Sequence, residues 1–263
     1  MDMELTYIFH SGFALSGDGF TVIMDYYRDS EDGQAQADLN RLMDGTFSNQ
    51  EAGMPEGTVH SELLRSPGKL YVLASHFHPD HFNKEVLQWR EQRPDIIYIF
   101  SKDILRHRRA QKEDAVWLKK GEEYKDETLS VRAFGSTDVG VSFLLQTGGK
   151  KIFHAGDLNN WHWMDESTEA EWKGAEKNFL HALVDLYAYT PEVDVALFPV
   201  DRRLGKEYMR GAGQFVTKIK THIFVPMHFT PEYAKANAFR DFAEAHGVRF
   251  VSLTHRGQKI EIE

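Results

Sequence analysis

The chain contains no cysteine, and that single absence removes two classes of explanation. No disulfide can staple the fold, and no thiolate can take part in a metal site. Long apolar runs are missing as well. No stretch approaches the roughly 18 residues that a membrane helix requires, and the opening MDMELTYIFH has no basic segment leading into an apolar one. A soluble, cytoplasmic protein with no membrane partner is the expectation. Basic charge is also in short supply. A formal net charge of −9 weighs against a nucleic-acid partner or an anionic surface, although a metal or a basic pocket can reverse the sign locally. There is no Gly-rich phosphate loop, no Ser-His-Asp arrangement and no interleaving of basic and aromatic residues. Nor is there a repeat of 20–50 residues, a low-complexity tract or a domain linker. One domain across residues 1–263 is expected.

What the chain does have is a succession of short apolar runs. LTYIFHSGFAL and FTVIMDYY, separated by Gly19, read as a hairpin. A polar inserted segment follows at about 28–68, whose middle, AQADLNRLMDGTF, could form one helix. A connection this long covers a pocket or makes a subunit contact, which leaves a homo-oligomer open. GKLYVLAS and DIIYIF read as buried strands, with helices at FNKEVLQWREQR and SKDILRHRRAQ. AVWL, EYKDETLSVRAF, VGVSFLLQTGG and KKIFHAGD read as strands turned at Gly121, Gly140 and Gly148–Gly149. Apolar spacing predicts a helix over 166–187. Strands VDVALFPVD and THIFVPMHF then alternate with helices GKEYMRGAGQFVTKI and EYAKANAFRDFAEAHG, and RFVSLTHRGQKIEIE supplies two closing strands. Strands first, then strands alternating with helices, fit two sheets with helices outside them better than one doubly wound sheet.

One short segment carries the chemistry. ASHFHPDHF packs His76, His78, Asp80 and His81 into six positions at the end of an apolar run. Extended backbone puts His76 and His78 on one face. Pro79 keeps His78 extended and turns the chain, so that Asp80 and His81 fold back from the following turn. Two imidazoles beside a carboxylate–imidazole pair suit one or two divalent ions. A donor set of nitrogen and oxygen without sulfur favours Zn, with Mn or Fe also suited.

HFHPDH resembles the His-x-His-x-Asp-His signature of the metallo-β-lactamase superfamily, whose fold is a four-layer αββα sandwich of the α/β class. Other landmarks follow in the family's order between residues 5 and 230. Asp25 ends FTVIMD where the family has a structural aspartate. Asp157 in HAGD matches the carboxylate that bridges two metals, and His228 in PMHF matches the late histidine of the second site. The turn FHSGFAL and the HAGD and PMH segments are most similar to the branch of lactonases and other metal-dependent hydrolases. The resemblance implies that His76, His78, Asp80, His81, Asp157 and His228 are metal ligands and that Asp80 also positions the attacking water and takes up its proton. It also disfavours an oxygen-reducing di-iron role, because such relatives carry Glu where His78 stands.

One departure stands out. The family supplies a third histidine to the first metal from a loop that here reads RAFGSTDVGVSF, with no histidine. His162 and Asp138 are the candidates to repair the gap as metal or substrate contacts, and His154 reads as structural. Asn160 and Trp161, with Asn159 and Trp163 beside them, are candidates for binding a polar ring. Arg202 and Arg203, with Asp201 and Lys206, are candidates for an anionic group, since the guanidinium fork matches phosphate and carboxylate. His10 reads as structural, in a turn that borders the site in relatives, while His107 reads as part of a solvated helix face and His255 as a turn residue.

A hydrolase using a metal-activated water on a small, anionic lactone, ester or sugar phosphate is the leading expectation. A phosphodiesterase or nuclease, and a degenerate member that binds a metal or ligand without turnover, remain as alternatives.

Overall fold

The structure, a computed structural model, describes residues 3–28 and 58–263. The helix expected in AQADLNRLMDGTF and most of the inserted segment lie outside the described residues. The chain divides into two compact units, Met1–Trp117 with Thr254–Glu263, and Leu118–Leu253.

The first unit is built on a seven-stranded sheet ordered β14-β1-β2-β3-β4-β5-β6. Its strands are β1 (Met3–Phe9), β2 (Gly12–Gly17), β3 (Phe20–Met24), β4 (Lys69–Ala74), β5 (Ile97–Ser101), β6 (Val116–Leu118) and β14 (Lys259–Ile262). The run LTYIFHSGFAL is two strands rather than one, broken where His10 adopts a positive φ of 57°. The β2–β3 hairpin turns through Asp18-Gly19 with Gly17 opposite Phe20, and Gly19 supplies the positive φ that such a two-residue turn needs. β1, β2 and β3 run antiparallel, then β3, β4 and β5 run parallel. Buried Ile8, Ile23, Val72, Trp89 and Phe100 belong to the unit's core.

Between the parallel strands lie α1 (Thr58–Ser61) and a 3-10 helix (Lys84–Glu91), and α2 (Lys102–Arg106) follows β5. The segment 84–91 is wound more tightly than the α-helix its composition suggests. Its two buried residues, Val86 and Trp89, are three apart, which is the 3-10 repeat. Asn83 caps it by accepting from Glu85 N at 3.0 Å.

The second unit has its own seven-stranded sheet, ordered β13-β12-β11-β10-β9-β8-β7. The strands are β7 (Glu123–Lys125), β8 (Ser130–Gly135), β9 (Val141–Thr147), β10 (Lys150–His154), β11 (Glu192–Pro199), β12 (Lys220–Met227) and β13 (Arg249–Phe250). It repeats the first unit's logic: β8, β9 and β10 form an antiparallel meander, then β10, β11 and β12 run parallel. Gly140, Gly148 and Gly149 hold positive φ at the meander's turns.

α3 (Glu169–Tyr189) buries Phe179, Leu183 and Leu186. It starts three residues later than the apolar spacing predicts, because Thr168 and Glu171 form a reciprocal capping box. The segment GKEYMRGAGQFVTKI is not one helix: its start belongs to a 3-10 helix (Arg202–Glu207) kinked at Gly205, with φ 82° and ψ −143°, and α4 (Arg210–Lys218) begins only at Arg210. EYAKANAFRDFAEAHG forms two short helices, α5 (Tyr233–Asn237) and α6 (Arg240–Ala245). The two closing strands belong to different sheets. Among the described residues no helix is long and apolar enough to cross a membrane.

Candidate metal centre

In both sheets the chemistry-bearing residues leave the C-terminal ends of parallel strands, where open α/β sheets place their ligand sites. β4 is buried from Leu70 to Ala74 and delivers Ser75, His76, His78, Asp80 and His81, while β3 delivers Asp25. In the second unit β10, β11 and β12 deliver Asp157, Asp201 and His228 in the same way.

Asp25 organises the first set. Its fully buried carboxylate accepts from Ser75 N at 2.7 Å, Ser75 Oγ at 2.6 Å and His81 Nδ1 at 2.7 Å. With Nδ1 of His81 bound to a carboxylate, Nε2 is the ring atom left to act as ligand. The single Ser75 proton goes to Asp25, so Ser75 Oγ accepts from His76 Nδ1 at 3.0 Å. That fixes the His76 tautomer with its lone pair on Nε2, 3.1 Å from Nδ1 of His78.

His10 joins this cluster from the β1–β2 turn. Its Nε2 lies 3.5 Å from Asp80 Oδ2, and Nε2 of His81 lies 3.6 Å from the same oxygen. Two ligands at ordinary bond lengths in a tetrahedral zinc site are about 3.4 Å apart, so these separations fit atoms facing a shared cation. By sequence alone His10 reads as structural, in a turn that borders the site in relatives. The signal that could have found it was a histidine at the tip of a hairpin whose neighbouring strand ends in Asp25.

In the second unit, His228 Nδ1 stands 2.9 Å from Asp201 Oδ2 and its Nε2 stands 3.4 Å from Asp157 Oδ1. Arg203 grips Asp201 from the other side, with Nε at 3.0 and 2.9 Å from Oδ1 and Oδ2, and its backbone N–H also donates to Oδ1. Burial alone would raise the Asp201 pKa, but the His228 and Arg203 contacts outweigh it and hold the carboxyl well below the usual range. The Arg203 guanidinium that the sequence offered to a substrate anion is therefore engaged with Asp201, although Arg203, like Arg202, is exposed.

The remaining candidates sort by their contacts. Asp138 and Asp157 each offer a carboxylate oxygen within 4.8 Å of the other. Thr137 holds their loops together, donating to Asn159 O at 2.6 Å and accepting from Asn159 N at 3.0 Å. His162 has both ring nitrogens on backbone groups: Nδ1 accepts from Met164 N at 3.1 Å, and Nε2 faces Glu207 O at 3.1 Å. Asn160 is fully buried and donates to Gln214 Oε1 at 2.9 Å. Trp161 is half-buried, donates to Asp157 O at 2.8 Å and lies 5.5 Å, centroid to centroid, from the His228 ring. His154 accepts from Gly156 N through Nδ1, as a structural residue would.

His10, Asp25 and His228 all adopt positive φ without being glycine, which costs about 1–2 kcal/mol each. Such conformations gather where a site requires them.

Fold and donor set together define a metal-dependent protein of the metallo-β-lactamase fold, and the comparisons agree. Residues 4–173 match the family model described as "Beta-lactamase superfamily domain", and the chain belongs to that superfamily. Among solved structures it is similar to Igni18, a metallo hydrolase from Ignicoccus hospitalis, at 18% identity and TM-score 0.62, covering 100% of this chain and 99% of that one. It is also similar to the metallo-beta-lactamase fold protein YhfI from Bacillus subtilis, at 12% identity and TM-score 0.59, covering 99% of each. CmlA, a diiron beta-hydroxylase from Streptomyces venezuelae, matches at 14% identity and TM-score 0.61 over 98% of this chain and 54% of that one. No curated protein matches the sequence.

Proposed function

We propose that the protein is a hydrolase that uses a metal-activated water on a small ester, lactone or sugar phosphate. In this reading His76, His78, Asp80, His81, Asp157 and His228 hold one or two divalent ions, with Zn the first choice and Mn or Fe compatible. The observation that carries the reading is the HFHPDH turn, where Asp25 and Ser75 fix the tautomers of His81 and His76 so that each offers Nε2.

A bound divalent cation would supply a water of pKa near about 7 and polarise the scissile carbonyl or phosphoryl oxygen. Asp80 is 13% exposed at its side chain and close to His10 and His81. It orients the attacking water and takes up its proton. Asp138 stands in for the missing third histidine, supported by its proximity to Asp157 and by the engagement of both His162 nitrogens with the backbone. An anionic group on the substrate would meet Arg202 rather than Arg203, and Trp161 offers a flat surface beside His228.

Metal analysis of the purified protein, with a screen of generic esters, lactones and phosphodiesters, tests this reading. The expected result is bound metal and a hydrolysis that Asp80→Ala lowers by about 100-fold or more. Metal without turnover would point to the binding-only member, and salt-sensitive cleavage of RNA to the nuclease. A protein that takes up no divalent ion would sink the proposal.

A further inference from the structure

Two parallel-strand ends that carry a candidate ligand histidine, His81 and His228, use the same device with different chemistry. In the first unit a buried carboxylate, Asp25, accepts from Nδ1 of His81 and is otherwise satisfied by the neutral donors of Ser75. In the second unit Asp201 accepts from Nδ1 of His228, but the rest of its hydrogen bonding comes from the cationic side chain and backbone of Arg203. Asp201 is 2% exposed and His228 3% exposed, so neither side chain swings freely.

We propose that Asp201 is the positioning residue of His228, and that Arg203 belongs to this device rather than to substrate recognition. Asp201 fixes the proton of His228 on Nδ1 and the ring plane in the direction that presents Nε2 to Asp157, 3.4 Å away. Arg203 grips the buried carboxylate through its fork from the exposed side and offsets its negative charge. The carboxylate behind a ligating imidazole typically changes metal affinity by about 10- to 100-fold. This inference rests on His228 being a metal ligand, as proposed above.

The pairing separates two roles for Arg203 that make opposite predictions. A residue that binds a substrate anion leaves the affinity for a metal ion unchanged when it is replaced. A residue that holds Asp201 in place weakens it with no substrate present.

The test is titration of the metal-free full chain with Co2+ alone, read by the d–d absorption of the bound ion and by its dissociation constant. Asp201→Ala is expected to weaken Co2+ binding by about 10- to 100-fold and to shift the absorption bands. Asp201→Asn, which keeps an acceptor oxygen for Nδ1 but loses the charge facing Arg203, should show a smaller loss. Arg203→Met should weaken binding in the same direction. Asp194→Asn removes one carboxylate of the same unit that bonds Lys151 N, and should leave the Co2+ constant as in the wild type. Should Asp201→Ala fail to fold, Asp201→Asn and Arg203→Met decide by the same spectrum. Wild-type affinity and bands in all the Asp201 and Arg203 variants that fold would overturn this inference and leave the hydrolase reading standing. A wild-type chain that binds no Co2+ would overturn the hydrolase reading itself.

Discussion

His81 Nδ1 lies 2.7 Å from the Oδ2 atom of Asp25, a residue fifty-six positions earlier, and both side chains are fully buried. The pair ties the end of β3 to the last residue of the HFHPDH turn, which leaves the adjacent parallel strand β4. Asp25 also receives both donors of Ser75, so Asp25→Ala would strand three buried donors at once. We expect the metal-free variant to lose about 3–5 kcal/mol of stability, seen as a lower denaturant midpoint. An unchanged midpoint would mean that Asp25 does not organise the turn.

That pair also marks where local sequence pattern stops being informative. The six-residue motif and the apolar strand before it are visible along the chain, because alternation and spacing are local, whereas Asp25, Asp157 and His228 stand out only through the resemblance to the family. His10 is different. It reaches Asp80 only because β1 and β2 fold back on each other and the turn adopts a positive φ. Arg203 is a similar case. Beside Arg202 it resembles an anion clamp, yet its fork closes on Asp201 two residues away, whose other partner is twenty-seven residues further on. The segments expected as single helices at 205–219 and 232–247 each hold parts of two shorter helices, divided by backbone geometry that composition does not reveal.

Thr137 ties the loop carrying Asp138 to the loop carrying Asp157, using one hydroxyl as both donor and acceptor to the Asn159 backbone. Valine has the same shape and lacks both bonds. Thr137→Val should therefore cost about 1–2 kcal/mol in stability and weaken metal uptake, measured by competition with a chromophoric chelator. Wild-type uptake in a destabilised variant would restrict Thr137 to a structural role.

Two helical glycines should respond in opposite directions to alanine. Gly174, inside α3, has open space around its missing Cβ, so Gly174→Ala should stabilise the protein by about 0.5–1 kcal/mol. A Cβ on Gly211, in α4, would run into Asn159 Oδ1 and stand 3.0 Å from Asn160 N. Gly211→Ala should destabilise by about 1–3 kcal/mol and disturb the segment that carries Asp157. Thermal unfolding of both variants checks the pair. Equal shifts of the same sign would show that the close approach at Gly211 is relieved at no cost.

Glu85 predicts a pH dependence with a definite sign. Burial would raise its pKa, but hydrogen bonds from His60, Trp89 and Tyr26 outweigh that and set it below the ordinary value of 4.5. A carboxylate whose folded pKa is depressed contributes stability that is fully present above its unfolded pKa. That contribution fades as the pH falls through the folded value. The three donors come from α1, from the turn after β3 and from the 3-10 helix itself, so one charge draws together segments twenty-five and fifty-nine residues away. Glu85→Gln should be less stable than the wild type by about 1–3 kcal/mol at neutral pH. The gap should close as the solution is acidified below about 4.5, because protonated Glu85 and glutamine then offer His60 similar neutral groups. Denaturant midpoints for both proteins across that range give the answer. A gap that stays constant into strong acid would mean that the charge on Glu85 does no work in holding these segments.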